Sequence, residues 1–176
     1  CINAQRMIDF LAKNFNSLKN KPLVFCSKGI DTKYCLFQTE IAERFLDKKL
    51  FSVLSGPGFA SDIVREKPIA LSLACKNVNL GKTIQHMLSS PSIRIYLNND
   101  LIGTQLGGAL KNVIAIACGI ADANELGEGA KSAIITRGFS EIRQIGKTFG
   151  CKIETLFGLS CLGDLTLTCN SKLSRN

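Results

Sequence analysis

Tryptophan is absent from this 176-residue chain, tyrosine occurs twice and histidine once, as His86. A lone histidine and eight cysteines that never fall into a CxxC spacing leave no recognisable zinc site. The cysteines, at positions 1, 26, 35, 75, 118, 151, 161 and 169, sit mostly inside apolar runs such as LVFC and AIAC. Reduced, buried thiols and a cytoplasmic setting are therefore expected, not a disulfide framework. No apolar run approaches the ~20 residues that span a bilayer. The longest, NVIAIACGIA, covers Asn112 to Ala121, so no membrane span is expected. No GxGxxG follows a strand-like segment; GPGFA, at positions 56–60, lacks the third glycine. The chain opens on Cys1 with no basic-then-apolar leader, and both ends read as cut.

What is present is an apolar, basic chain. Hydrophobic residues make up 45% and charged residues 20%, the balance of a globular domain with a core. Lysine and arginine outnumber aspartate and glutamate by 22 to 14, a net charge of +8 that favours anionic partners: nucleic acid, acidic lipid or small phosphates. The basic residues are scattered, with Lys48 and Lys49 the longest basic run, and no aromatic stripe lies among them. That pattern speaks against a nucleic-acid binder, whose affinity would fall steeply with salt.

Up to about residue 100, short apolar strands alternate with helical periodicity, the rhythm of an α/β fold. QRMIDFLAKNF predicts a helix with Met7, Ile8, Leu11 and Phe15 on one face. PLVFCSKG predicts a strand ending at Lys28 and Gly29, and TKYCLFQTEIAERFL a second helix. FSVLSGP, PIALSLAC and IRIYLNN are further strands, with the helix GKTIQHMLSS before the last. Beyond Asp100 the strands stop. LIGTQLGGALKNVIAIACGIADA and AKSAIITRGFSEIRQIGKTFG predict two long helices, the second ending at Gly150. The closing GLSCLGDLTLTCNSKLSRN has little helical or strand periodicity and reads as a polar loop. The expected architecture is α/β over residues 1–100, then all-α over residues 101–176.

In a parallel α/β sheet, ligands bind beyond the carboxyl ends of the strands. Two such ends carry unusual residues: Lys28 in CSKG, and Gly56, Pro57 and Gly58 in SGPGFA. Glycine lets backbone approach a ligand and lysine offers a mobile cation, although a plain turn with a solvated lysine gives the same pattern. Lys111 and Asn112 interrupt an otherwise apolar helix, beside Gly107 and Gly108. A lysine in apolar surroundings has a lowered pKa and can act as a general acid or base; the alternative is a lysine snorkelling at an edge. Near the end, Asp164 is the sole acid after Glu154, and Arg175 with Asn176 offers donors suited to a phosphate.

SKGI, SGPGFA, LGGALKNVIAIACGI, GAKSAIITRGFSE and GLSCLGDLTLTCNSKLSRN, in this order, resemble the bacterial NAD(P)-dependent glycerol-3-phosphate dehydrogenases over essentially the whole chain. The resemblance implies the second part of a Rossmann-type domain followed by the start of a helical substrate domain, without the glycine-rich phosphate loop and the trailing helices. It implies NAD or NADP as cofactor, sn-glycerol 3-phosphate and dihydroxyacetone phosphate as substrates, no nucleic-acid partner, and is compatible with a homodimer. Carried over by motif, Lys111 is the proton donor and acceptor, and Lys28 touches both substrate and nicotinamide. Gly56 and Gly58 fall at substrate contacts and Ala60 at a cofactor contact. Asp164 falls beside substrate and Lys111, and Ser174, Arg175 and Asn176 around the substrate phosphate, Arg175 also near the cofactor.

Three departures stand out. Gly58 occupies a position where the family usually has Ser or Thr, GEGA replaces a GDN-containing pattern at 127–130, and Cys161 stands where glycine is common. Two other readings remain alongside: a related Rossmann-plus-helical hydroxyacid or ketopantoate-type dehydrogenase, against which the DLTLTC…SRN ending speaks, and a non-catalytic remnant of the enzyme.

Overall fold

A computed structural model describes residues 4–171. The amphipathic opening forms α1 (Ala4–Lys13) and a further turn, α2 (Phe15–Leu18). Met7 and Leu11 are buried, whereas Phe15 is exposed, because the helix breaks at Asn14 and the last apolar residue of the stripe leaves the face. Then follow β1 (Leu23–Phe25), α3 (Gln38–Ala42), a 3-10 turn at Lys48–Leu50, β2 (Phe51–Ser55), α4 (Ala60–Val64), β3 (Ile69–Cys75), α5 (Val78–Leu88) and β4 (Ile93–Asn98). The helical part comprises α6 (Leu101–Ala123), α7 (Gly127–Thr148), α8 (Ile153–Phe157), a π turn at Leu159–Gly163, and α9 (Asp164–Asn170).

The four strands lie in chain order in one sheet. β1 and β2 run parallel, so that Leu23 faces Phe51 and Phe25 faces Val53, and their carboxyl ends open on the same edge. β3 is antiparallel to β2, with Ser55 opposite Ser72, and β4 is again parallel to β3. The sheet is therefore mixed and not wholly parallel, with the five-residue α4 the one helix between β2 and β3.

Alternation along the strands divides the core. Phe51 and Val53 face Met7, Leu11, Ile41 and Leu101, whereas Leu73 packs with Ile84 and Ile95 beneath α5. A third cluster, with Leu106, Ile114, Cys118, Phe139, Ile142, Leu156, Cys161 and Leu165, holds the helices together. Leu106, Ile142, Leu156 and Leu165, fully buried, each contribute about 1.5–3 kcal/mol. Phe37 is built into the helical cluster and Leu101 into the sheet cluster, so the two parts interlock. Gln105 of α6 reinforces this, accepting from the Thr39 amide at 3.2 Å and donating to the Thr39 hydroxyl at 2.9 Å. Asp100 caps α6 through the Gly103 amide at 2.8 Å and accepts the Lys152 amide, also at 2.8 Å, joining the start of α6 to the start of α8.

Two expected elements differ. The helix expected over Thr32–Leu46 is reduced to Gln38–Ala42, since Cys35 takes a positive φ, Asp31 bonds Leu36, and the Phe37 amide donates to Glu40, which starts the helix there. The closing stretch, expected to be a loop, is a π turn and a helix as far as Asn170. Burial of Cys161, Leu165 and Cys169 against α6 outweighs the poor intrinsic helix preference of glycine and threonine there.

α6 is long and apolar enough to cross a membrane by length and composition alone. Leu106, Ile114, Ala115 and Cys118 are nevertheless buried within the helical cluster, the packing of a core helix. Of the cysteines, Cys75, Cys118, Cys161 and Cys169 are buried as expected, while Cys26 and Cys35 are exposed. Those among the described residues are free thiols.

Candidate active site

The carboxyl end of β1 runs into a loop that carries Lys28, whose side chain is 27% exposed. The middle of α6 carries Lys111, and α9 opens with Asp164. Although 53 and 136 residues separate Asp164 from the two lysines, the fold brings all three together. Lys111 Nζ donates to Asp164 Oδ1 at 2.5 Å, and Lys28 Nζ donates to the other carboxylate oxygen, Oδ2. The Lys111 ammonium also donates to the Thr168 hydroxyl at 2.8 Å, and that hydroxyl donates back to the Asp164 carbonyl at 2.6 Å. Asp164 is 2% exposed and Lys111 and Thr168 each 7%, so the cluster is buried except on the Lys28 side.

Burial pushes the Lys111 pKa below the ordinary 10.5; the Asp164 carboxylate opposes that shift and the Lys28 cation adds to it. The arrangement carries two cations on one anion, with the anion in the first turn of a helix, where negative charge is favoured. Such a lysine can hold or release a proton within a water-poor pocket. Cys161 beside it is pushed up to about 12 by burial and then by Asp164, so it remains a thiol and no nucleophile.

At the carboxyl end of β2, Gly56 has φ +152, and a side chain there would meet the Leu71 backbone at 3.1 Å. Glycine is thus required on both conformational and steric grounds. Gly58 differs: an added Cβ would make ordinary contacts at 3.5 Å, so no steric reason bars a Ser or Thr. Pro57, between them, lies against Gly163, the residue before Asp164. Ala60 is exposed at the start of α4. Ser174, Arg175 and Asn176 lie outside the described residues.

Gly107 allows the close passage of α6: a Cβ there would stand 2.5 Å from Cys161 Cβ and 2.7 Å from the Ser160 carbonyl oxygen. Gly108, one residue on, faces the Lys28 stem and the Ser55 hydroxyl. Sequence reasoning missed Thr168 and Ser55. The i, i+4 spacing of Asp164 and Thr168 points both to one helical face and was hidden only because the stretch reads as a loop. A cavity of about 600 Å³ between β4 and α8, bordered by Ser72, Asn98 and Ser160, does not reach the two lysines.

The chain is similar to known proteins along both of its parts. The family model described as NAD-dependent glycerol-3-phosphate dehydrogenase N-terminus matches residues 2–81, and the C-terminus model of the same enzyme matches residues 100–176. A glycerol-3-phosphate dehydrogenase [NAD(P)+] of Chelativorans sp. is 46% identical over 99% of this chain and 54% of its own length; that of Zymomonas mobilis is 43% identical over 99% and 51%. The crystal structure of glycerol-3-phosphate dehydrogenase from Coxiella burnetii superposes with a TM-score of 0.88 at 35% identity, covering 96% of this chain and 52% of that one. The chain thus spans about half the length of the curated relatives it matches. Matched along both of its parts, and with its two motif lysines meeting on one buried aspartate, the chain belongs to the NAD-dependent glycerol-3-phosphate dehydrogenase family.

Proposed function

We propose that these residues form the proton-transfer and substrate-holding half of an NAD(P)-dependent glycerol-3-phosphate dehydrogenase, which interconverts dihydroxyacetone phosphate and sn-glycerol 3-phosphate in the cytoplasm. The observation that carries the reading is Lys111: a buried ammonium, pushed to a lower pKa by burial and fixed by Asp164 and Thr168. Residues 1–100 are assigned to the nucleotide-binding part and 101–176 to the helical substrate part.

The residues present fit the nicotinamide end of a dinucleotide. Gly56 leaves bare backbone where a Cβ would crowd Leu71, Ala60 opens α4 four residues on, and the Lys28 side chain is partly exposed. Nothing in the sequence offers a GxGxxG cradle for its pyrophosphate. When bound, the dinucleotide supplies or takes the hydride.

The chain's own residues do the rest. Two of the three N–H groups of Lys111 are committed to Asp164 and Thr168, which leaves the third for a substrate oxygen. As negative charge grows on the substrate carbonyl oxygen, Lys111 Nζ delivers a proton to it, and in the reverse direction it accepts the hydroxyl proton. Asp164 stabilises the ammonium without taking the proton itself. Lys28, on the open side, holds the same end of the substrate. Ser174, Arg175 and Asn176 are assigned to the phosphate, with Arg175 also toward the cofactor; a planar guanidinium binds that group bidentately. Gly58 contributes backbone alone at the substrate.

Lys111→Met in the protein carrying these residues tests the reading. It keeps much of the stem and removes the ammonium, so kcat for dihydroxyacetone phosphate reduction, followed by NAD(P)H absorbance, should fall at least about a hundredfold. The melting temperature should hold or rise, because Asp164 keeps Lys28 and a desolvated charge is gone. Near-normal kcat would remove Lys111 from the chemistry.

A further inference from the structure

Polar side chains on the sheet face beneath α6 are paired, with one exception. Asn98 donates to Ser72 at 2.7 Å and to Thr104 at 3.4 Å. Ser55, opposite Ser72 at the end of β2, is 6% exposed, and its hydroxyl has neither a partner nor access to solvent. An unpaired buried hydroxyl destabilises the fold, and alanine would fit the same space without that cost. The chain keeps the hydroxyl beside the reaction centre all the same.

What lies next to it is the Lys28 side chain. A Cβ on Gly108 would sit 3.1 Å from Lys28 Cγ, 3.3 Å from Lys28 Cδ and 3.4 Å from Ser55 Oγ. The lysine stem and the serine hydroxyl therefore converge on Gly108, where α6 has no side chain. Nζ lies two bonds beyond Cδ, so rotation about the end of the stem brings the ammonium toward Ser55. A diffusing ligand cannot touch Ser55 Oγ, which is sealed from solvent, whereas Lys28 is already there.

We propose that Ser55 is a positioning residue: its hydroxyl is the second station of the Lys28 ammonium, accepting one of its N–H groups when that ammonium leaves Asp164 for the substrate. The inference rests on the assignment of Lys28, Lys111 and Asp164 to the reaction centre. In the structure Lys28 and Lys111 divide the two oxygens of one carboxylate. An incoming substrate oxygen competes for Lys28; with one N–H anchored on Ser55, the remaining two are directed into the site, and Asp164 is left to Lys111 alone.

The test is a double-mutant cycle in the protein carrying these residues, with Ser55→Ala, Lys28→Met and both together. Ser55→Ala should raise KM for dihydroxyacetone phosphate by about tenfold, the scale of one hydrogen bond to a charged group, with kcat changed far less. Its melting temperature should hold or rise, a combination that a merely structural serine does not produce. In the Lys28→Met background the same change should move KM by less than about twofold, the usual error of additivity. An unchanged KM in Ser55→Ala overturns the inference, as does a tenfold effect that persists without the Lys28 ammonium. A parent protein that does not reduce dihydroxyacetone phosphate at all overturns the functional reading and this inference with it. Normal parent turnover with additive losses overturns this inference alone.

Discussion

Asp164 answers to two cations, and its removal should cost more than the loss of either. Asp164→Asn leaves the Lys28 and Lys111 ammonium groups facing each other across a neutral amide, with Lys111 buried. Breaking a buried pair in this way costs on the order of 3–5 kcal/mol, which a urea unfolding curve would register. A loss below about 1 kcal/mol, the scale of an exposed pair, would mean that solvent reaches the cluster. The pH dependence has the opposite character for Lys111. Its pKa in the folded chain lies below the ordinary 10.5, chiefly through burial, so the unfolded chain binds the proton more tightly. Stability therefore rises with pH between the folded value and 10.5, and any advantage of Lys111→Met should shrink across that window. Lys111 was legible in the sequence as a charge on an apolar helix, whereas its partner Thr168 was not, because a threonine hydroxyl gives no signal until the helix that aims it is known.

Among the elements, α6 bears most of the site's geometry: its middle carries Lys111, and its glycines let the π turn and the Lys28 loop approach. Gly107→Ala would gain about 1 kcal/mol of helix propensity, but its Cβ would stand 2.5 Å from Cys161 Cβ and 2.7 Å from a backbone oxygen. Backbone cannot rotate away as a side chain can, so the overpacking cost of about 1–3 kcal/mol should win. The π turn leading into Asp164 would then shift, and kcat should fall even where the variant stays folded. Thermal melting together with turnover checks this; a stabilised variant with full turnover would show that the contact is not tight. The two long helices and the strands were legible because their apolar periodicities are strong. α9 was not, for its buried face of Leu165 and Cys169 is interrupted by threonines that taken alone favour turns or strands. The loop before α3 failed in the other direction: apolar Leu36 and Phe37 look helical, yet Phe37 is drawn into the helical cluster as an extended residue.

At the scale of the molecule, the sheet and the helices are tied by Phe37, by Gln105 with Thr39, by Asp100 with Lys152, and by Lys28 on Asp164. Contacts spread this evenly predict one cooperative unfolding transition for residues 1–176, with far-UV circular dichroism and tyrosine fluorescence coinciding. A folded chain of this extent should still fail to catalyse. In the roles proposed for them, Lys28 and Lys111 would hold a carbonyl and protonate its oxygen, but no glycine-rich phosphate loop in these residues fixes the dinucleotide against it. Alignment of the two reactants can supply roughly 7–11 kcal/mol of a reaction's barrier lowering, far more than the hundred- to ten-thousand-fold of a placed proton donor. Residues 1–176 expressed alone should therefore show a single melting transition and no oxidation of NADH or NADPH by dihydroxyacetone phosphate. Turnover near 1 s⁻¹, ordinary for an intact enzyme, would mean that these residues build a dinucleotide site by means other than a glycine-rich loop. Inactivity with two separated transitions would instead place the fault in the joint between sheet and helices, where Asp164 meets Lys28.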